Sequence, residues 1–222
     1  MWDYIVDILP GLPTSLSLTL VALLVAFTLS VLMTFILALK TPVITQIVKA
    51  YITLFTGTPL LVQFFLIYYG PGQFPVLQKF PMIWELLSTP WFCAMVTLAL
   101  NSAAYSTLLF YGAVRAIPSG QWQSCQALGM SPVQTARVIL PYAFKRALSS
   151  YSNEVVLIFK STSLASTITL LELTGYSRQV FGQSYDVMVF VAAGIIYLGI
   201  NGILTLLMRL IEKKALKFEH RN

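Results

Sequence analysis

Hydrophobicity along this chain comes in long uniform blocks, not in the two-residue alternation of half-buried strands. Residues 16–39, 91–114 and 187–208 carry no charged side chain, and Asp186 and Arg209 bracket the last block. A helix needs about 20 mainly apolar residues to cross the hydrocarbon core of a bilayer, so each block predicts one membrane span. Two further blocks are long enough but interrupted. Residues 51–70 read "YITLFTGTPLLVQFFLIYYG", broken at Gly57 and Pro59, and residues 152–173 read "SNEVVLIFKSTSLASTITLLEL", with Glu154 and Lys160 inside. Both are too apolar at their far ends to sit unpaired in water, which brings the expected count to five. The predicted fold is an all-α membrane protein with five transmembrane helices, forming a single domain over residues 1–222.

Two stretches lie outside this pattern. The N-terminal "MWDYIVDILPG" sets Trp2, Ile5 and Leu9 at helical spacing opposite its acids, which suits a short helix in the outer interface of the membrane and equally a frayed amphipathic end. Its Asp3 and Asp7, with no Lys or Arg among the first 13 residues, predict that it is not a cleavable signal peptide. The other exception is the polar connection of residues 115–149. Here residues 120–128 can form a helix, with Gly129 where a left-handed C-terminal cap belongs. Ser131 then offers an N-cap, Pro132 the first helical position and Gln134 the reciprocal partner of a capping box. Pro141 is expected to close this second helix. Trp122, Cys125 and Leu128 form a narrow apolar stripe, which either lies in a partner's groove or packs back on the spans.

Composition strengthens the membrane class: 57% of the 222 residues are hydrophobic and 10% charged, against roughly 25% charged in soluble domains. The net charge of +6 could suggest nucleic acid, but its placement follows the positive-inside rule. Lys40 and Lys49 fall in one connection, Arg115, Arg137, Lys145 and Arg146 in another, and Arg209, Lys213, Lys214, Lys217 and Arg221 in the tail. The alternate connections carry Lys79 with Glu85, and Glu172 with Arg178 and Asp186. The predicted topology is N-terminus outside and C-terminus cytoplasmic, with no nucleic-acid role. Cys93 and Cys125 are too few for a disulfide framework. With His220 alone, no metal site is expected.

The polar connection, "GQWQSCQALGMSPVQTARVILPYA", resembles the EAA loop of permease subunits in ATP-binding-cassette importers. Gln123, Ser124 and Cys125 occupy the Glu-Ala-Ala positions, Gly129 is the loop glycine, and residues 138–141 form the closing end. "FTGTPLLVQ" (55–63), "LALNSAAYSTLLFYGAVRAIPSGQ" (98–121) and "SNEVVLIFKSTSL" (152–164) are similar to the polar-amino-acid branch of that family. The resemblance implies a type I importer permease, with the loop on the cytoplasmic side between spans three and four. It implies that Gln121, Trp122, Gln123, Ser124, Cys125, Ala127, Leu128, Gly129 and Met130 form a coupling element that docks on a cytoplasmic ATPase dimer. ATP and Mg2+ would bind there, because this chain has no P-loop: "GTP" at 57–59 lacks the Gly-x4-Gly-Lys-Ser/Thr pattern. No cofactor and no catalytic residue are expected in the chain itself. A periplasmic amino-acid-binding protein and a bacterial inner-membrane location are implied as well. The blocks "YYGPGQFP" and "NSAAY" suggest arginine or another basic amino acid as substrate.

Departures from the family pattern are informative. Gln123 replaces the usual acid, and the spacing from Gly129 to Pro141 is one residue short. Leu108 and Tyr111 stand where relatives often have Glu and Arg, and Ser161 where many have Asp. A chain thinned of these polar groups is what one half of a heterodimer would look like, so a sister permease subunit is expected.

Membrane-depth polar groups mark candidate substrate contacts. Glu154 could meet a cationic group or serve structurally near the inner interface, and Lys160 could snorkel or pair with it. Ser161 and Thr162 offer hydroxyls, which could equally bond back to their own helix. The Gly57–Pro59 break can expose backbone groups to a substrate or be a plain kink. Thr56, Thr58 and Gln63 flank it, and Asn101 and Tyr105 on span three complete the candidate set. The rival function is a secondary carrier driven by an ion gradient, which would need its membrane acids to relay protons.

Overall fold

A computed structural model describes residues 1–39 and 41–215, so Lys40, Lys217, His220 and Arg221 lie outside the described residues. Every regular element among these is helical. The short α1 (Trp2–Ile8) leads through a 3₁₀ turn into α2 (Leu12–Leu39). Helices α3 (Pro42–Gly57) and α4 (Leu60–Tyr69) follow, then two short helices, α5 (Pro75–Gln78) and α6 (Pro81–Ser88). The central α7 spans Pro90–Arg115, and α8 spans Ser119–Ala127. Helix α9 (Pro132–Ser161) runs on as a 3₁₀ stretch, Thr162–Ile168, before α10 (Leu173–Ser184) and the final α11 (Met188–Ala215). Three helical segments are long and apolar enough to cross a membrane. Two bent pairs, α3 with α4 and α9 with α10, could raise the number to five.

The long helices are inside out compared with soluble ones. Along α2 the buried positions are Ser15, Leu18, Thr19, Ala22, Ala26, Ser30, Thr34 and Leu37, while Leu20 and Leu24 are each 61% exposed. Lipid is as apolar as leucine, so membrane helices gain from close backbone approach and put small residues between them. Helix α7 answers with Ala94, Ala99, Ser102, Ala103 and Ser106, and α2 and α7 form the most extensive helix pair. Three buried hydroxyls bond back to their own helix, Thr19 to the Ser15 carbonyl at 2.7 Å, Thr97 to Cys93 at 2.7 Å and Thr107 to Ala103 at 2.6 Å, whereas those of Thr34, Ser102 and Ser106 make no such bond. Neither free cysteine is paired, and both are buried.

The N-terminal helix docks on the bundle through Tyr4, Ile5 and Ile8 and leaves Trp2 and Leu9 exposed. Tyr4, Ile5 and Ile8 pack on Tyr176 and Val180 of α10 and on Val189, Ala192, Ala193 and Ile196 of α11, while Trp2 is 74% exposed. The Tyr4 hydroxyl donates to Asp186 Oδ2 at 2.8 Å, and the Met188 amide donates to Oδ1 at 2.9 Å. The Met188 amide first, and the Tyr4 hydroxyl second, hold the Asp186 carboxyl below the usual carboxylate range.

Pro141 does not close a helix. It lies within α9, which runs unbroken from the polar connection into the bundle. A proline removes one amide donor and crowds the preceding turn, yet Ile139, Leu140 and Ala143 around it are buried against the rest of the bundle. Tertiary packing outweighs the local penalty here. The loop and the fourth candidate span are thus one rigid rod, and a loop bounded at residue 149 understates their connection.

Candidate functional sites

Pro59 organises the first site. The residue before a proline is pushed out of the helical region, and Thr58 accordingly sits at φ −115°, ψ 143°. Helix α3 stops there and α4 leaves at 106° to it. Proline has no N–H, so the Phe55 carbonyl, four residues earlier, loses its helical donor. Two side chains supply the missing donors: Gln63 Nε2 bonds the Phe55 carbonyl at 2.8 Å and Asn101 Nδ2 does so at 3.2 Å. Gln63 Nε2 also reaches Thr58 Oγ1 at 2.8 Å, and Asn101 Nδ2 donates to Gln63 Oε1 at 3.0 Å. The break is thus stitched to α7, and the Tyr105 hydroxyl adds a bond to the Thr56 carbonyl at 3.4 Å.

A cavity of about 450 Å³ opens beside this break. Six of the eight sequence-predicted substrate residues line it: Thr56, Thr58, Asn101, Tyr105, Glu154 and Ser161. Gln63 stands behind the wall, 5% exposed, and supports it rather than facing the space. Thr162 is fully buried and donates to the Phe159 carbonyl at 2.8 Å, the self-bonding alternative. Among the described residues Glu154 is the one charged side chain in the lining, with Leu98, Leu157 and Ile158 supplying apolar walls. Lys160 is exposed and, among the described residues, makes no ion pair with Glu154. Six residues along a helix turn it about 240° away. The space suits a small ligand, and the buried carboxylate favours a cationic one.

The second site is the hinge between α8 and α9. Met130 N bonds the Cys125 carbonyl at 3.1 Å and Gly129 N the Gln126 carbonyl at 2.9 Å, the paired bonds of a Schellman cap. Gly129 has φ +70°, a conformation that glycine adopts without a Cβ clash. Ser131 and Gln134 then close a capping box at 3.3 Å and 2.8 Å, with Pro132 at the first turn of α9. The apolar stripe divides. Cys125 is buried with Ile117, Ala136 and Ile139, and half-buried Trp122 and Met130 pack there too. Leu128 points away, 75% exposed. Gln121, Gln123, Ser124 and Ala127 are exposed beside it, leaving an uncharged polar face around one leucine.

Sequence reasoning missed Glu172. It was expected as a charge in an outer connection, but it is completely buried. Its Oε1 accepts from Gly175 N at 2.8 Å, and its Oε2 from Tyr197 at 2.9 Å and Ser15 at 3.3 Å. The only local signal was an N-cap acid ahead of Leu173. Its two long-range partners left none.

Comparison with known proteins agrees with this architecture. Residues 26–217 match the family described as binding-protein-dependent transport system inner membrane component. The arginine ABC transporter permease protein ArtM of Escherichia coli (strain K12) is 67% identical over 222 residues, covering all of both chains. The ArtM protein of Haemophilus influenzae is 57% identical, covering 98% of this chain and 96% of its own. A crystal structure of an amino acid ABC transporter with histidines superposes with a TM-score of 0.81 at 25% identity, covering 96% of each chain.

Proposed function

Because the chain belongs to the family of inner-membrane components of binding-protein-dependent transport systems, we propose that it forms part of an ATP-driven importer for arginine or another basic amino acid. The observation that carries the substrate class is the cavity whose one charged wall group is Glu154. A carboxylate at membrane depth is costly unless it faces a water-filled cavity or meets a partner, and among the described residues no lysine or arginine lines the space. The guanidinium of arginine would supply the counter-charge and leave the hydroxyls of Thr56, Thr58, Tyr105 and Ser161 to its polar remainder. The close relatives named as arginine permeases support the same choice. Membership of this family favours ATP-driven import over the ion-gradient carrier.

In this proposal five spans cross the membrane with the N-terminus outside, and the bent α3–α4 pair counts as one. The exposed face around Leu128 docks on a separate cytoplasmic ATPase dimer, which holds ATP and Mg2+. A periplasmic binding protein delivers substrate from outside, and a sister permease covers the open side of the cavity. Since α8 is capped directly onto α9, a push on α8 moves the helix that carries Glu154.

Reconstitution of the chain with its ATPase, sister permease and binding protein tests this. Arginine uptake that requires ATP and persists without an ion gradient is expected. In the same liposomes Glu154→Gln should lose the preference for cationic over neutral amino acids. Unchanged selectivity would remove Glu154 from the substrate site, and uptake by a proton gradient alone would sink the importer assignment.

A further inference from the structure

Cavity-lining Ser161 is followed by an unusual run of backbone. Residues Thr162–Ile168 form a 3₁₀ helix rather than continuing α9, and such a stretch rarely exceeds 3–4 residues without a functional or strain-related cause. It ends at Thr169 with φ 69°, ψ 6°, a left-handed conformation that is an outlier for a β-branched residue. Three residues later comes Glu172, whose carboxylate ties the N-terminus of α10 to Ser15 on α2 and Tyr197 on α11. The Ser15 hydroxyl in turn accepts from Leu173 N at 3.3 Å, and Thr174 Oγ1 lies 3.1 Å from the Tyr197 hydroxyl. A Cβ on Gly11 would come within 2.5 Å of the Glu172 carbonyl carbon, so the N-terminal turn is pressed directly onto this peptide.

We propose that Glu172 is a positioning residue for transport: it anchors the far end of the strained 162–169 stretch while α9 moves the near end. The inference rests on the importer reading above, in which force enters at α8. One end of the stretch belongs to a rod reaching the coupling hinge, and the other is clamped by three helices. Motion of the rod therefore has to be absorbed between them. Conversion of seven residues from 3₁₀ to α geometry shortens a segment by about 3.5 Å, at rises of about 2.0 and 1.5 Å per residue. This is enough to reshape the cavity beside Ser161 without disturbing the bundle.

The test uses the complete importer in liposomes, with Glu172→Ala, Glu172→Gln, Tyr197→Phe and Thr169→Gly. Glu172→Ala should assemble normally and hydrolyse ATP, but lose about tenfold in transport turnover at unchanged KM, a defect in a conformational step rather than in binding. Glu172→Gln, which keeps an acceptor for Gly175 N, should restore most of it. Wild-type turnover in Glu172→Ala, or a raised KM with turnover intact, would overturn the proposal. If Glu172→Ala fails to assemble, Tyr197→Phe and Thr169→Gly decide it, since both keep the carboxylate. Either should change turnover at constant KM, and wild-type turnover in both overturns the clamp. Spin labels at exposed Lys160 and Leu171 should report a distance change between ATP-free and ATP-trapped states, and an invariant distance counts against the device. Failure of the wild-type complex to import with ATP would instead refute the importer reading.

Discussion

The hinge between α8 and α9 and the cavity beside the α3–α4 break are both built from hydrogen bonds, but over very different chain separations. At the hinge, Met130 reaches Cys125, Gly129 reaches Gln126 and Ser131 pairs with Gln134. In the cavity wall Asn101 bonds Gln63 across 38 residues and the Phe55 carbonyl across 46, and the Glu172 clamp reaches Ser15 across 157. Local bonds make a joint that α8 and α9 carry with them as a unit. Long-range bonds make walls that hold only while the bundle does. Damage at the hinge should therefore appear in coupling with the fold intact, and loss of the Gln63 and Asn101 amides in the stability of the fold.

The largest expected effect is at the hinge. Leu128→Asp places a charge on an exposed leucine, so the chain should insert and fold while binding to the ATPase weakens by at least about 2 kcal/mol, as for an interface hot spot. Co-purification with the ATPase measures it, and normal association would remove Leu128 from the interface. Trp122→Asp should behave differently, since Trp122 packs into the chain's own cluster and the substitution costs folding too. The next effect is at the cavity. Combined Gln63→Leu and Asn101→Leu leave the Phe55 carbonyl without a donor, which costs about 1–3 kcal/mol for a buried group. Thermal unfolding in detergent should fall accordingly, and an unchanged midpoint would mean that water replaces both amides.

Smaller effects refine the comparison. Gly129→Ala forces a Cβ into a left-handed position, which costs about 1 kcal/mol and should lower transport per ATP more than thermal stability. Equal losses in both would deny the hinge its separate role. The smallest effect concerns α1. Asp186 has a depressed pKa in the fold, so its contribution is present above the ordinary value near 4. It is lost as pH falls through the depressed folded value. Amide exchange in α1 should accelerate at that acid end only, and Tyr4→Phe should shrink the difference.

Particular residues show how much was legible in advance. Gly57 and Pro59 announced a break at the right place because proline acts on its immediate neighbours. Gly129, Ser131, Pro132 and Gln134 announced the hinge for the same reason. Pro141 misled because its penalty is local while the burial of Ile139 and Ala143 is not. Gln63 and Asn101 are legible as polar groups at membrane depth, and Asn101 does line the cavity, but that their amides also meet backbone freed by Pro59 is a role no spacing rule contains. Glu172 looked like a loop charge because Ser15 and Tyr197 belong to distant spans.

The sequence alone determined the helical membrane class, three helices long and apolar enough to cross a membrane, and the caps on either side of Gly129, since each depends on hydrophobic length or on bonds within a few residues. Only the tertiary structure decided which face of each helix is buried, that α9 is one rod from hinge to cavity, and that Glu154 and Glu172 differ in kind. Glu154 faces a cavity in which the described residues offer no cation, whereas Glu172 is surrounded by donors from three helices. Burial and partnership depend on which helices pack together, and helix association in lipid rests on small residues and buried polar bonds spread over the whole chain.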